Sequence, residues 1–318
     1  MWFQRVGSRV AVLAPAKINL FLELLGKRAD GFHELETAMV AVSLFDRLEF
    51  TPTEGRGVTL DCAWEPGQWA AAARLGEPGD FLGDLPPQES NLVVRAVKLL
   101  QAEENVPHGA RIVLRKRIPS ASGFGGASSD AAAALWAAHL GWKLNLPIAR
   151  LQELAGRLGS DIPFFLHAGQ LGSGQAVATG RGERIHPYDG PRLHLVLIRP
   201  AGGLSTAEVY RACQVPDSPQ SASQLLAALR NGRRMAIRES LVNRLTPPAM
   251  ALSSQINRLA STCEKLDVVA HQMSGSGSGY FALCRSRRHA RQVAARLKAR
   301  GVGMVFPVTT CGIRSLRN

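Results

Sequence analysis

"IPSASGFGGASSDAAAALWAAHLGW" (residues 118–142) sets Gly123, Gly125 and Gly126 among serines, directly before an alanine-rich run. Glycine loses the most backbone freedom on ordering, so such a cluster marks a chain that must approach something closely. Upstream, "ARIVLRKRI" (110–118) alternates like a half-buried strand; downstream, the alanines predict a helix ending near Gly141. Strand, Gly/Ser loop and helix start together make a setting for anions. The first-turn N–H groups point outward, and the helix dipole places positive charge there. Without Cβ atoms at 123, 125 and 126, successive N–H groups can converge as a nest. Ser128 and Ser129 add hydroxyls and can cap the helix. Two familiar phosphate patterns, G-x-x-x-x-G-K-[ST] and the dinucleotide G-x-G-x-x-G, are absent. On its own the loop fits two readings equally: a turn that lets a helix pack close, or a phosphate site.

The rest of the chain narrows the choice. A length of 318 residues suggests two domains, and 46% hydrophobic residues can fill real cores. No stretch reaches the roughly 18 uninterrupted apolar residues of a membrane span, and the N-terminus reads poorly as a signal peptide. Five scattered cysteines without a C-x-x-C pair speak against a disulfide framework or a zinc site, and for a reducing, cytoplasmic setting. The formal charge of +13 would attract nucleic acid, membrane surface or small polyphosphates. Its one cluster, from Arg285 to Arg300, reads as the solvated face of a helix whose apolar side is Val293, Ala294 and Leu297. It lacks the aromatic interleaving of a nucleic-acid surface, so no specific nucleic-acid partner and no membrane are expected.

Strands are predicted at 8–14, 17–25, 34–50 and 58–62, with turns at "GKRADG" (26–31) and "SLFD" (43–46). Residues 64–89 read as a polar, Pro/Gly-rich loop. Ser90 looks like the N-cap of a helix over 91–105, and another helix runs from Pro147 to Gly159. "HLVLIRP" (194–200) is a buried strand. Residues 205–262 read as helical pieces broken at "PDSP", "NGRR" and "TPP". The chain ends strand 268–273, loop, strand 280–284, helix 287–300, strand 303–311. We place a domain boundary near residue 190, giving 1–190 and 191–318.

Three further stretches accompany the glycine loop. "APAKINLFLELLGKRADGFHE" (14–34) puts Lys17 and Asn19 on one face of a strand, where they also read as ordinary surface. "RLGSDIPFF" (157–165) puts Asp161 in a turn that also fits a helix N-cap. "MSGSGSGYF" (273–281) alone reads as a hairpin loop. In this order, and with "NLVVRA" (91–96), "GRGERI" (180–185) and "STAEVY" (205–210), the segments resemble the galactokinase, homoserine kinase, mevalonate kinase and phosphomevalonate kinase family. The resemblance covers most of the chain. Its most specific part is "GKRADGFHE" (26–34), because the wider family shares the glycine loop but not this pattern.

The resemblance implies an α/β (α+β) kinase of two domains around a central cleft: an N-terminal phosphate-loop domain and a ferredoxin-like C-terminal one. It implies Asp161 as the base that takes the proton of a substrate hydroxyl and Lys17 as its ammonium partner. That choice makes chemical sense, since phosphoryl transfer is catalysed mostly by alignment and charge neutralisation. ATP with Mg²⁺ would lie on Asn91 and on the loop Pro119, Ser120, Ala121, Ser122, Gly123, Phe124, Gly125, Gly126, Ala127, Ser128 and Ser129; no protein metal ligand is assigned. A small cytidyl-bearing sugar alcohol would be the second substrate. Phe32 and Tyr210 would sandwich its base, and His33 would read the base edge. Asn19, Thr206, Gly275, Ser276 and Gly277 would line the remainder. A monomer or weak homodimer is expected. Departures from the family pattern are Phe32 in place of Tyr, Ala207 in place of Pro, long segments at 64–89 and 167–179, and Ala121 and Ala127 in place of glycines. Those alanines must keep φ negative or carry strain. The alternatives are a mevalonate-type or other sugar-alcohol kinase, or a nucleotide-binding sensor without turnover.

Overall fold

Alternating apolar residues in the N-terminal third build two very long strands. The computed structural model describes residues 2–170 and 174–311. β1 (Trp2–Val6) turns into β2 (Arg9–Lys27), and β2 pairs antiparallel with β3 (His33–Thr53) along nearly its whole length. Neither the gap predicted in β2 nor the turn predicted at 43–46 exists. The ladder instead takes up the irregularity as register shifts, one of them between Pro15 and Ala16 opposite Phe45 and Val42. A bulge of this kind bends a strand without ending it. The first half of β3 then pairs β6 and its second half pairs β5.

The elements that follow are β4 (Val58–Trp64), α1 (Pro66–Ala73), α2 (Pro78–Leu82), α3 (Leu92–Glu103), β5 (Gly109–Lys116), α4 (Gly126–Gly141), α5 (Ile148–Leu158), α6 (Ile162–Gln170), β6 (Gln175–Gly180) and β7 (Arg184–Pro187). The expected loop at 64–89 thus holds two short helices. Pro66 and Pro78 open them, with φ already set for a first helical turn. Phe81 and Leu82 are buried against Met304. Asn91, not Ser90, caps α3: its side chain accepts the Val93 N–H at 3.0 Å, while the Ser90 hydroxyl goes to the Pro87 carbonyl. The segment 167–179 is the end of α6 and most of β6, its residues 171–173 lying outside the described ones. Ala131 to Ala134, Ala137 and Ala138 are all buried, so α4 is a central helix whose small side chains admit neighbours on every side.

A second sheet begins at β8 (His194–Arg199). After it come α7 (Thr206–Arg211), α8 (Ala222–Arg230), α9 (Arg234–Ser240), α10 (Thr246–Leu252), α11 (Ser254–Glu264), β9 (Ala270–Met273), β10 (Tyr280–Cys284), α12 (Arg287–Ala299) and β11 (Met304–Thr309). "TPP" opens α10 rather than separating helices. The strand order β11-β8-β10-β9, antiparallel throughout, is ferredoxin-like. On α12, Val293, Ala294 and Leu297 are buried and the arginines face outward. Ile18, Leu20 and Phe21 of β2 share one core with Leu195, Leu197 and Phe281 of the second sheet, so the two sheets are packed on each other. No helix among the described residues is long and apolar enough to cross a membrane.

Candidate active site

The glycine loop is fastened before it reaches the cleft. Asp46 of β3, fully buried, accepts the backbone N–H groups of Arg117 and Ile118 and pairs with the Lys116 ammonium. Lys116 also pairs with Asp130 in the first turns of α4. Burial opposes the Lys116 charge, but the two carboxylates outweigh it and hold its pKa above the usual lysine value. Burial pushes the Asp130 carboxyl well up, with the Asp46 charge adding to the effect and Lys116 opposing it. At the far end, the loop docks on the turn after β9. The Gly279 N–H donates to the Ser122 carbonyl at 3.0 Å, and the Ser274 hydroxyl donates to the Gly123 carbonyl at 3.1 Å.

Gly125 sits in the left-handed region as the N-cap of α4, with no side-chain capping bond. The expected capping by Ser128 and Ser129 is therefore not seen: a capping side chain belongs at Gly125, and both serines lie inside the helix. A Cβ at Gly125 would meet Lys17 Cγ at 2.9 Å, and one at Gly123 would meet the Ser274 carbonyl at 2.2 Å. The glycines are thus needed for conformation and for close approach together. Ala127 lies in the first turn of α4, where a side chain is no burden. Ala121, however, has φ +47°, so the strain anticipated from sequence is present there.

β2 brings the catalytic candidates to this nest. The Lys17 backbone N–H donates to the Phe124 carbonyl at 2.8 Å, tying strand to loop. The Lys17 side chain, 4% exposed as a residue, donates to Asn19 Oδ1 at 2.8 Å and stands 3.2 Å from Asp161 Oδ2. Asn19 in turn donates to Thr37 Oγ1 at 2.8 Å, and Thr37 to the Phe21 carbonyl. This chain fixes Lys17 and, among the described residues, leaves its third N–H uncommitted. Asp161 precedes α6, and among the described residues it has no partner besides Lys17.

A cavity of about 1550 Å³ joins these groups. Its walls include Asn91, Pro119 to Gly123, Gly125 to Ser128, Lys17, Asn19, Asp161, Phe32, His33, Thr206, Tyr210 and Gly275 to Gly277. Two expected residues are missing from them: Phe124 turns its ring into the core between the sheets, and Ser129 is buried within α4. At the aromatic end, His33 lies 5.6 Å from Tyr210, ring centre to ring centre, and burial followed by the Lys27 charge lowers its pKa. Phe32 is 54% exposed and carries the Arg181 guanidinium 4.9 Å above its ring. Among the described residues no ring contact joins Phe32 to Tyr210. Thr206 Oγ1 and Ser276 Oγ are 2.8 Å apart, linking α7 to the 274–279 turn. Sequence reasoning missed Thr37, Asp46, Asp130, Arg181 and Ser274. Asp130, Arg181 and Ser274 stood inside quoted stretches and Asp46 inside a predicted turn, but what each does depends on contacts that no motif announces.

Residues 91–169 match the GHMP kinases N terminal domain, and residues 225–303 match the GHMP kinases C terminal family. The chain is 43% identical over 317 residues to the 4-diphosphocytidyl-2-C-methyl-D-erythritol kinase of Rhodopirellula baltica, covering 95% of each. It is 41% identical over 292 residues to the enzyme of that name from Pelotomaculum thermopropionicum, covering 91% of this chain and 94% of that one. The chain belongs to the 4-diphosphocytidyl-2-C-methyl-D-erythritol kinase family, a branch of the GHMP kinases. As a member it is an ATP-dependent kinase. A crystal structure of 4-(cytidine 5'-diphospho)-2C-methyl-D-erythritol kinase superposes with a TM-score of 0.77 at 33% identity, covering 95% of this chain and 99% of that one. Homoserine kinase from Cytophaga hutchinsonii, 18% identical with a TM-score of 0.69 and 98% of each chain covered, shares the GHMP kinase fold.

Proposed function

We propose that this kinase transfers the γ-phosphoryl of ATP to the 2-hydroxyl of 4-diphosphocytidyl-2-C-methyl-D-erythritol, giving the 2-phosphate and ADP in non-mevalonate isoprenoid synthesis. The observation that chiefly supports the reading is the buried Lys17 ammonium 3.2 Å from Asp161 at the foot of the glycine nest. The substrate oxygen attacks the γ-phosphorus as its proton passes to Asp161. The bond to the β–γ bridging oxygen breaks, and its electron pair leaves with ADP. Lys17 offers its remaining N–H to the negative charge that gathers on the transferred group. The nest and the free N–H groups at the start of α4 hold the triphosphate, with Asn91 on the nucleotide side. Residues 1–190 form the ATP-binding half and 191–318 close the cleft. Phe32, His33 and Tyr210 take the cytosine; the ring of a neutral His33 both donates and accepts, as a base edge requires.

Mg²⁺ fits the residues present. Magnesium is commonly held by one or two carboxylates plus substrate phosphates. The Ser128 hydroxyl and the Asp161 carboxylate are hard oxygen donors in the cleft wall. The ion would neutralise phosphate charge there when bound.

The test is ADP release with the cytidyl substrate against mevalonate and homoserine. Turnover confined to the first is expected, and comparable rates with all three would sink the assignment. Asp161→Asn should lower kcat by about 10²–10⁴-fold, with circular dichroism reporting an intact fold. Intact turnover in that variant would end the base assignment.

A further inference from the structure

Arg181 lies in the "GRGERI" motif, which the proposed chemistry leaves without a role. Gly180 (φ +76°) and Gly182 (φ +107°) flank it in a tight turn between β6 and β7. Two contacts locate this turn in the cleft. On one side the guanidinium stacks on Phe32; on the other, a Cβ added to Gly182 would stand 3.8 Å from the Cβ of Ser160, the neighbour of Asp161. Arg181 therefore sits between the residues assigned to the base and the carboxylate assigned to the hydroxyl.

Among the described residues no hydrogen bond or ion pair engages the Arg181 guanidinium, which lies on the Phe32 ring and feels the Asp30 charge through space. The nearby acids are already engaged. Glu183 accepts the Arg181 backbone N–H at 2.6 Å, which closes the turn, and Asp30 takes the Arg28 guanidinium at 3.1–3.2 Å. A guanidinium held flat on a ring keeps its edge donors directed outward, in the fork geometry that matches phosphate oxygens. Arg181 covers one face of Phe32, and the exposed ring retains a second face for a base.

We infer that Arg181 is a specificity-determining residue that receives the diphosphate of the cytidyl substrate. This rests on the substrate reading above. It adds a reason for selection beyond the base: a substrate whose base and alcohol are joined by anything other than a diphosphate leaves the guanidinium unpaired.

Calorimetric titration with cytidine and with CDP, on wild-type protein and on Arg181→Gln and Arg181→Lys, tests it. Wild type should bind CDP more tightly than cytidine. Arg181→Gln should lose about 10- to 100-fold in CDP affinity with cytidine affinity unchanged, and Arg181→Lys, which keeps the charge but not the fork, should lose less. An unaltered KM for ATP would report an intact fold. Equal losses for cytidine and CDP would reduce Arg181 to a brace for Phe32 and overturn the inference, as would wild-type CDP affinity in Arg181→Gln. Wild-type protein that ignores both ligands would overturn the substrate reading itself, and this inference with it.

Discussion

Ala121 occupies a backbone conformation that alanine rarely adopts, φ +47°, within a loop whose glycines at 123 and 125 have φ +71° each. A Cβ in that region costs roughly 1–2 kcal/mol, and glycine's own ordering cost gives back part of it. Ala121→Gly should therefore stabilise the protein by about 0.5–1 kcal/mol, read as a raised midpoint in urea with an unchanged slope. A destabilised variant would mean that the Ala121 methyl makes packing contacts worth more than the backbone strain. Lys17 shows the opposite economy. Its side chain engages Asn19 and Asp161, and its backbone N–H ties β2 to the Phe124 carbonyl of the glycine loop. Lys17 and Asp161 were legible in the sequence only in company, because a lysine on a strand and an aspartate in a turn each have a commonplace explanation.

The element that depends most on distant help is the β5–α4 loop. Lys116 at its start, Asp130 in α4 and Asp46 on β3 form one buried cluster, two carboxylates on one ammonium. Removing the ammonium leaves the buried Asp46 carboxylate without its counter-charge, so Lys116→Met should cost about 3–5 kcal/mol in chemical denaturation. Asp130 behaves differently. Its folded-state carboxyl titrates above the unfolded value, so its contribution is fully present at low pH and is lost as pH rises through the folded value. The cost of Asp130→Asn should accordingly shrink, or turn into a gain, as unfolding is measured from about pH 5 to about pH 8, above the ordinary carboxylate range. A cost that grows with pH would show that Asp130 is ionised in the folded protein. Nothing local in "SLFD" announces Asp46 as the anchor of a loop 70 residues away; the pairing of β3 with β5 puts it there.

Across the whole molecule, 38 basic and 25 acidic residues create a positive field around a site for polyanionic substrates. Exposed charges are screened over about 10 Å at 0.1 M salt. Raising ionic strength from about 20 mM to about 500 mM should lower kcat/KM for ATP several-fold and change kcat little, as measured in a steady-state salt series. A flat kcat/KM would assign the +13 charge to solubility instead. The packing of the sheets matters at the same scale. β2 contributes Lys17 and Asn19 to the cleft from one stretch and Ile18, Leu20 and Phe21 to the core shared with β8 and β10. Alternation over 17–20, followed by the irregularity between Asn19 and Phe21, thus couples the position of Lys17 to the seating of the second sheet.

The sequence by itself determined the strand, Gly/Ser loop and helix setting at 110–141, the strand–strand–helix–strand run over 268–311 and the residues that mark the family. These are local signals: glycine where φ must be positive, period-two alternation, and motifs of fixed spacing. Only the tertiary structure decided that β2 and β3 run unbroken through a bulge, that Phe124 and Ser129 turn away from the cleft, and that Asp46 fastens the glycine loop. It also placed Arg181 against Phe32 in the cleft, beside the turn that packs near Ser160. In each case the physical reason is the same: a register shift, a buried counter-ion or the direction of a ring is set by what packs against it, and the packing partner lies tens to hundreds of residues away.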